Sequence, residues 1–329
     1  MEYIIADADR MCVGYLDEMS SIDVDIGETN DFELVLSRSY SEKLGVKKGF
    51  QFFIPDTEFG GIIEDVQSNT SYDDITYGGY TWRGYLDQLV IQPPAGSAYL
   101  TVSGDANSIL RKLLSTGTGL LFTVPEEPSG IVISNFKFRY DTALSGITKM
   151  LSGRNARLDI KATEEAEGER FKVMIQAVRI RNYSEELQYD GDDNINVSVR
   201  DYSCGINHLI CLGSGELTER TVRHLYAQLD GSIGQKQYYK GTFERTAVYD
   251  ASSTEDVDEL IKGGTDRLKE LMNYKSAEMN ISDAELEIGD IVSARDRGLG
   301  TVLSRPVVNK ILNYADMKET IEHRLKGEE

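Results

Sequence analysis

The chain has 329 residues, with 35 Lys and Arg against 55 Asp and Glu, a formal charge of -20 and a pI of about 4.6. At about 100–200 residues per domain, this length predicts two or three domains and excludes a small module stapled by disulfides. The acid excess excludes a cationic nucleic-acid-binding surface spread over the whole molecule.

With 40% hydrophobic residues, 18 Tyr and 10 Phe, the composition is too apolar for a disordered acidic chain, and a soluble folded protein is expected. Three cysteines, Cys12, Cys204 and Cys211, leave one unpaired in any disulfide scheme. The opening Met1-Glu2-Tyr3-Ile4-Ile5-Ala6-Asp7 lacks the basic and then apolar regions of a signal peptide, so folding in a reducing cytoplasm is expected. The strongest apolar run, Gly119-Leu120-Leu121-Phe122-Thr123-Val124, has the length of a strand and not of a membrane span, so no membrane insertion is expected.

Taken in chain order, residues 31–37, 50–55, 59–68 and 76–83 are rich in Phe, Ile, Val, Tyr and Thr. Turns at Asp56-Thr57-Glu58 and Gly78-Gly79 separate them. Short strands at this spacing suggest a small antiparallel barrel or sandwich over 1–95, read as a first β-barrel domain. Two prolines in Gln92-Pro93-Pro94-Ala95-Gly96 cannot donate to a ladder and mark a domain boundary. Beyond it, Ala106, Ile109, Leu110, Leu113 and Leu114 share one helical face, as do Ala143, Leu144, Ile147, Met150 and Leu151. Strands are expected at 131–133, 156–161 and 170–178, so 96–185 reads as an inserted α+β domain. The acidic run at 163–169 reads as a solvated hairpin tip.

Ile195, Val197 and Val199 alternate with Asn196, Ser198 and Arg200, and with 206–212 they are expected to complete the first barrel through 186–212. A second β-barrel domain is expected over 213–329, with strands near 222–229 and 241–249. Its helix, 255–274, carries Val257, Leu260, Ile261, Gly264, Leu268, Leu271 and Met272 on one face, with Ser253 and Asp256 as a capping box. Gly263 and Gly264 weaken that helix by about 1 kcal/mol each relative to Ala, which suggests close packing against a sheet. The tail, 276–325, reads as strand and turn. The expected fold class is mainly β with an α+β insert.

Catalytic signals are sparse. His208, His224 and His323 are dispersed, and Cys204 and Cys211 match no zinc spacing, so neither metal nor cofactor is expected. Gly213-Ser214-Gly215-Glu216-Leu217-Thr218 has Thr where a phosphate-binding loop needs its third glycine. Cys204 with His208 is the sharpest enzymatic pairing, yet it lies between strand-like segments and not at a helix N-terminus, where a thiol is most easily ionised. The acidic pairs Asp73-Asp74, Glu126-Glu127 and Asp192-Asp193 are neighbours whose side chains point apart, which is poor geometry for a glycosidase. Trp82 reads as a core or interface anchor rather than a sugar platform.

Three stretches together resemble the tail proteins of siphovirus-type bacteriophages and prophages, related to the baseplate hub of contractile-tailed phages. The first is Phe59-Gly60-Gly61-Ile62-Ile63-Glu64-Asp65-Val66 with Tyr80-Thr81-Trp82-Arg83-Gly84-Tyr85-Leu86-Asp87-Gln88-Leu89-Val90-Ile91-Gln92-Pro93-Pro94. The second is Leu212-Gly213-Ser214-Gly215-Glu216-Leu217-Thr218-Glu219-Arg220 with Leu225 to Gly231 and Glu244-Arg245-Thr246-Ala247-Val248-Tyr249-Asp250, and the third is Leu286-Glu287-Ile288-Gly289-Asp290-Ile291-Val292. The resemblance implies two related barrels per subunit and a homotrimer forming a pseudo-sixfold ring at the virion tail tip. Its implied partners are the tail tube or distal tail protein, the tape-measure protein and receptor-binding or fibre proteins, with DNA passing through the lumen without specific binding. It implies no enzymatic activity; a tail-associated wall hydrolase and a sugar-binding adhesin are the alternatives.

Overall fold

The computed structural model describes residues 2–69, 71, 73–164, 170–183, 188–190, 195–202, 205–228, 231–272, 274–282, 286–296 and 301–325. Its N-terminal strands are Ile4–Ala6 (β1), Cys12–Tyr15 (β2), Ser21–Ile26 (β3), Asp31–Ser37 (β4), Gln51–Phe53 (β5), Gly60–Ile62 (β6), Asp65–Ser68 (β7) and Asp74–Tyr80 (β8). They divide between a four-stranded sheet, β2-β1-β5-β6, and a larger sheet containing β3, β4, β8 and β7.

Two helices interrupt this β-rich segment. Arg38–Leu44 (α1) starts where the Ser37 hydroxyl accepts from Tyr40 N and stops at Gly45, whose φ of 66° is left-handed and suits glycine. Trp82–Asp87 (α2) replaces the end of the strand expected over 76–83. The Thr81 hydroxyl caps it, and Trp82, Tyr85 and Leu86, spaced one helical turn apart, are all buried. Strand-like composition was outweighed by that cap and apolar spacing.

The following segment holds Val90–Ile91 (β9), Leu100–Asp105 (β10), Ala106–Leu113 (α3), Phe122–Thr123 (β11), Val132–Phe138 (β12), Asp141–Thr142 (β13), Ala143–Ser152 (α4), Ala156–Thr163 (β14) and Lys172–Arg179 (β15). Asp105 caps α3 through Asn107 N at 2.9 Å and also accepts from Ser129 Oγ at 2.9 Å and Gly130 N at 3.0 Å. Burial pushes its carboxyl up, but these bonds outweigh burial and hold it below the usual range.

The helices pack on the β11-β15-β14 sheet, and their core is continuous with Ile4, Phe53, Trp82 and Leu86. Phe171 stacks on Phe53 with ring centroids 4.1 Å apart and lies 6.0 Å from Trp82. The proline-marked segment at 92–96 is therefore a surface connector and does not divide two cores. The acidic run ends β14, and residues 165–169 lie outside the described residues.

The chain forms two compact units, Met1–Asn196 with Met279–Leu325, and one built on Val197–Glu278. Gln188–Asp190 (β16) precedes the second unit, and Ile195–Tyr202 (β17) runs into it. That unit contains His208–Leu212 (β18), Val222–Ala227 (β19), Ile233–Gly234 (β20), Thr246–Asp250 (β21) and Val257–Leu271 (α5), with sheet order β20-β19-β18-β21.

Asp256 alone caps α5, accepting from Asp258 N and Glu259 N at 2.7 and 3.2 Å, so the capping box expected with Ser253 does not form. Leu260, Leu268 and Met272 cover Leu209, Cys211, Leu225 and Ala227 on one sheet face. The helix glycines approach that sheet as their composition suggested: a Cβ on Gly264 would lie 2.4 Å from Cys211 Sγ. Gly264→Ala should therefore destabilise the protein by about 1–2 kcal/mol in denaturant titration, because overpacking exceeds the gain in helix propensity.

The chain returns through Tyr274–Ser282 (β22), Ile291–Asp296 (β23), Thr301–Ala315 (β24) and Lys318–Leu325 (β25). These strands do not close a second barrel with 213–272. Instead β24 pairs antiparallel with β3, Lys310 opposite Ile26, and the large sheet runs β22-β25-β24-β3-β4-β8-β7. The pairing buries Leu312 with Ile22, Val24, Ile26, Phe32 and Leu34. Periodicity identifies such a strand but not its partner, which explains the different division expected at 213. No sheet closes on itself among the described residues. No described helix is long and apolar enough to cross a membrane.

Candidate functional site

Two features of the fold concentrate polar chemistry. The first is the solvent face of the large sheet. Along β3, Ile22, Val24 and Ile26 point inward and are buried, and along β4, Phe32, Leu34 and Leu36 do the same. Of the alternate, outward-facing positions, Asp23, Asp25, Asp31 and Glu33 are acidic. Asp23 lies opposite Glu33, Glu33 opposite Gly78, and Gly78 opposite Asp65. In the neighbouring row, Asp25 lies opposite Ile311, and Ile311 opposite Glu322.

Like charges directly across strands disfavour a sheet by about 0.2–1 kcal/mol per pair. Part of this repulsion is absorbed by amide donors: Asn313 Nδ2 donates to Asp23 at 3.1 Å, and Asn309 Nδ2 reaches both oxygens of Asp25 at 3.1 and 3.0 Å. Arg324 pairs with Glu322 at 2.9 Å and Glu28 at 3.6 Å at the edge of the face. Sequence reasoning missed β3, although the alternation in Ser-Ile-Asp-Val-Asp-Ile carried the signal. Asp73 and Asp74 lead into β8, and Asp192 and Asp193 lie outside the described residues.

The second feature joins two histidines that are sixteen residues apart in sequence and were read as dispersed. Adjacent strands β18 and β19 bring His208 Nε2 to 2.8 Å from His224 Nδ1. His208 Nδ1 lies 2.7 Å from Glu244 Oε1 and 3.1 Å from Thr246 Oγ1, and Tyr226 stacks on the ring at 4.4 Å. Asn207 fixes the Glu244 loop by donating to Phe243 O at 2.7 Å and accepting from Arg245 N at 2.9 Å.

No described thiol joins this cluster. Cys211 points to the opposite, α5-covered face, where burial pushes its thiol up, and burial also raises the Cys12 thiol. Cys204 lies outside the described residues. His323 is buried elsewhere, with Nε2 3.1 Å from Leu286 O. Glu126 and Glu127 are exposed in a loop, and Trp82 is fully buried, beyond reach of a sugar ring. Among the described residues no group of three His, Cys, Asp or Glu has the arrangement of a metal site.

The fold is that of phage and prophage tail proteins. The chain is similar over 99% of its length to 98% of the 43 kDa tail protein of prophage MuSo2 from Shewanella oneidensis, with TM-score 0.56 and 10% identity. Similarity to the prophage tail protein gp18 from Listeria monocytogenes EGD-e covers 100% of this chain and 95% of that one, with TM-score 0.50 and 11% identity. A chain of the p2 virion baseplate in its activated conformation matches over 98% of both chains, with TM-score 0.50 and 12% identity. No protein-family profile and no curated protein matches. The mainly β fold expected from the sequence resemblance is therefore shared with these tail proteins, at identities of 10–12%.

Proposed function

We propose that the chain is a structural protein of a phage or prophage tail, acting at the tail tip as a baseplate hub. Three copies form a ring of pseudo-sixfold symmetry that continues the tail tube and carries tail-tip parts on its outer side. The observation that supports this most is likeness along nearly the full length of both chains, and not over one shared module, to the MuSo2 tail protein. A protein of this class acts through symmetric assembly. Its partners in this reading are copies of itself, the tail tube or distal tail protein, the tape-measure protein and receptor-binding or fibre proteins. Cryo-electron microscopy and mass measurement of the purified protein, alone and with tail-tube protein, should show a threefold ring. A stable twofold dimer would overturn this reading.

The acidic sheet face fits the wall of a DNA passage. Asp23, Glu33 and Asp65 form a row of carboxylates on a rigid sheet, and a surface of that sign repels a duplex carrying one negative charge per about 1.7 Å. The duplex then slides without adhering. Assembled particles carrying Asp23→Lys and Glu33→Lys should retain DNA at low salt and eject it more slowly, an effect relieved by salt because screening acts within about 10 Å at 0.1 M. Glu126→Lys with Glu127→Lys, on an exposed loop, should leave ejection unchanged. Equal effects from both pairs would reduce the acidity to a solubility device.

A wall hydrolase is the competing reading. In this account purified peptidoglycan is not turned over, and Cys204→Ser and His208→Ala have no hydrolysis to abolish. Hydrolysis lost with either change would replace scaffold by enzyme.

A further inference from the structure

The sheet face of the second unit opposite α5 has His208 at its centre, 8% exposed, while His224 beside it is exposed. Around them Val222 and Val248 are 37% and 60% exposed. The groups facing His208 are Glu244 from the preceding loop, Thr246 from β21, and His224 and Tyr226 from β19; Glu244 is the only carboxylate among these.

Hydrogen-bond chemistry fixes the proton count. An ionised carboxylate only accepts, so the His208 proton sits on Nδ1, directed at Glu244. One hydrogen then occupies the 2.8 Å gap between His208 Nε2 and His224 Nδ1. Carried by His224, it leaves both rings neutral; carried by His208, it makes that ring a cation held by Glu244. If both rings are fully protonated, two N–H groups confront each other and the contact cannot stand.

We propose that Glu244, His208 and His224 form an acid-sensitive latch between β18 and β19, which accommodates one extra proton and releases the His224 side chain into solvent on the second. Release places a cation beside Val222, Ile210 and Val248, on the face opposite α5. The latch is independent of the tail assignment, since it follows from side-chain contacts within one unit.

Nitrogen-15 NMR of the full chain at pH 7.5 should show Nδ1–H tautomers for both His208 and His224. At pH 5.0 the His224 ring should have lost its contacts with His208.

His224→Asn keeps a single N–H donor toward His208 without titrating, and it should abolish the acid-induced rise in amide exchange at Leu209 and Leu225. Glu244→Gln should shift the His208 proton away from Nδ1. Nε2–H tautomers at pH 7.5 would overturn the latch. So would an intact ring contact at pH 5.0 with both imidazoles charged, or the same pH dependence of exchange in His224→Asn.

Discussion

Glu58→Gln is expected to cost about 3–5 kcal/mol in equilibrium unfolding, because it leaves the Arg83 guanidinium as a buried charge without its partner. Arg83 Nε and Nη2 donate to the two Glu58 oxygens at 2.6 and 3.0 Å, with side chains 7% and 2% exposed. Burial works against the charge on Arg83, yet the attraction and hydrogen bonds of Glu58 outweigh it and hold the guanidinium above its ordinary value. Desolvating an ion pair costs nearly as much as the pair returns, so Glu58→Leu with Arg83→Met should recover most of the loss. A single-variant cost below about 1 kcal/mol would show that water reaches the pair.

Asp290→Ala should produce a loss of similar size, about 3–5 kcal/mol. Its carboxylate is fully buried and accepts from Arg157 Nε at 3.0 Å, Arg181 N at 3.2 Å and Glu287 N at 3.2 Å. It thereby ties β14, the segment after β15 and the entry to β23 together. Gly289 beside it has a φ of +97°, where a side chain is strained, and Arg157 Cβ lies 3.1 Å from where its Cβ would be, so this turn favours glycine. Arg157 retains Asp159 at 3.1 Å, which should make Asp290→Ala milder than removal of both acids. Asp159→Ala with Asp290→Ala, measured against the single variants by denaturant titration, should show coupling of at least about 1 kcal/mol. Strict additivity would mean the two acids act separately.

These two ionic sites had no counterpart in the sequence reading. Glu58 appeared there as part of a turn, Arg83 as the end of a strand and Asp290 as part of a resemblance motif. Arg83 meets Glu58 because the Thr81 cap turns the chain into α2 and directs the side chain inward. Asp290 meets Arg157 across 133 residues of sequence. Such pairings depend on where strands are brought in space, and residue type does not announce that a charge will be buried. The acidic face was more accessible. Alternation in β3 and β4 states which residues share a face, and only the register, Asp23 opposite Glu33, needed the folded sheet. The histidine pair stands between these cases, since β18 and β19 each showed strand character but nothing local placed Ile210 opposite His224.

The sequence by itself determined the local grammar of this protein. Apolar alternation produced the strands, the 3.6-residue period and side-chain caps produced α3, α4 and α5, and the composition set the acidity. All of these depend on residues within about ten positions of one another. Tertiary structure decided which strands are neighbours, and so which unit each joins: β24 leaves the expected C-terminal barrel to pair with β3, and α2 carries Trp82 into the core of the inserted segment. The physical reason is that burying one apolar face requires a complementary face from anywhere in the chain. Many partners satisfy the same periodicity, and only packing of the whole core, with its buried ions paired, selects among them.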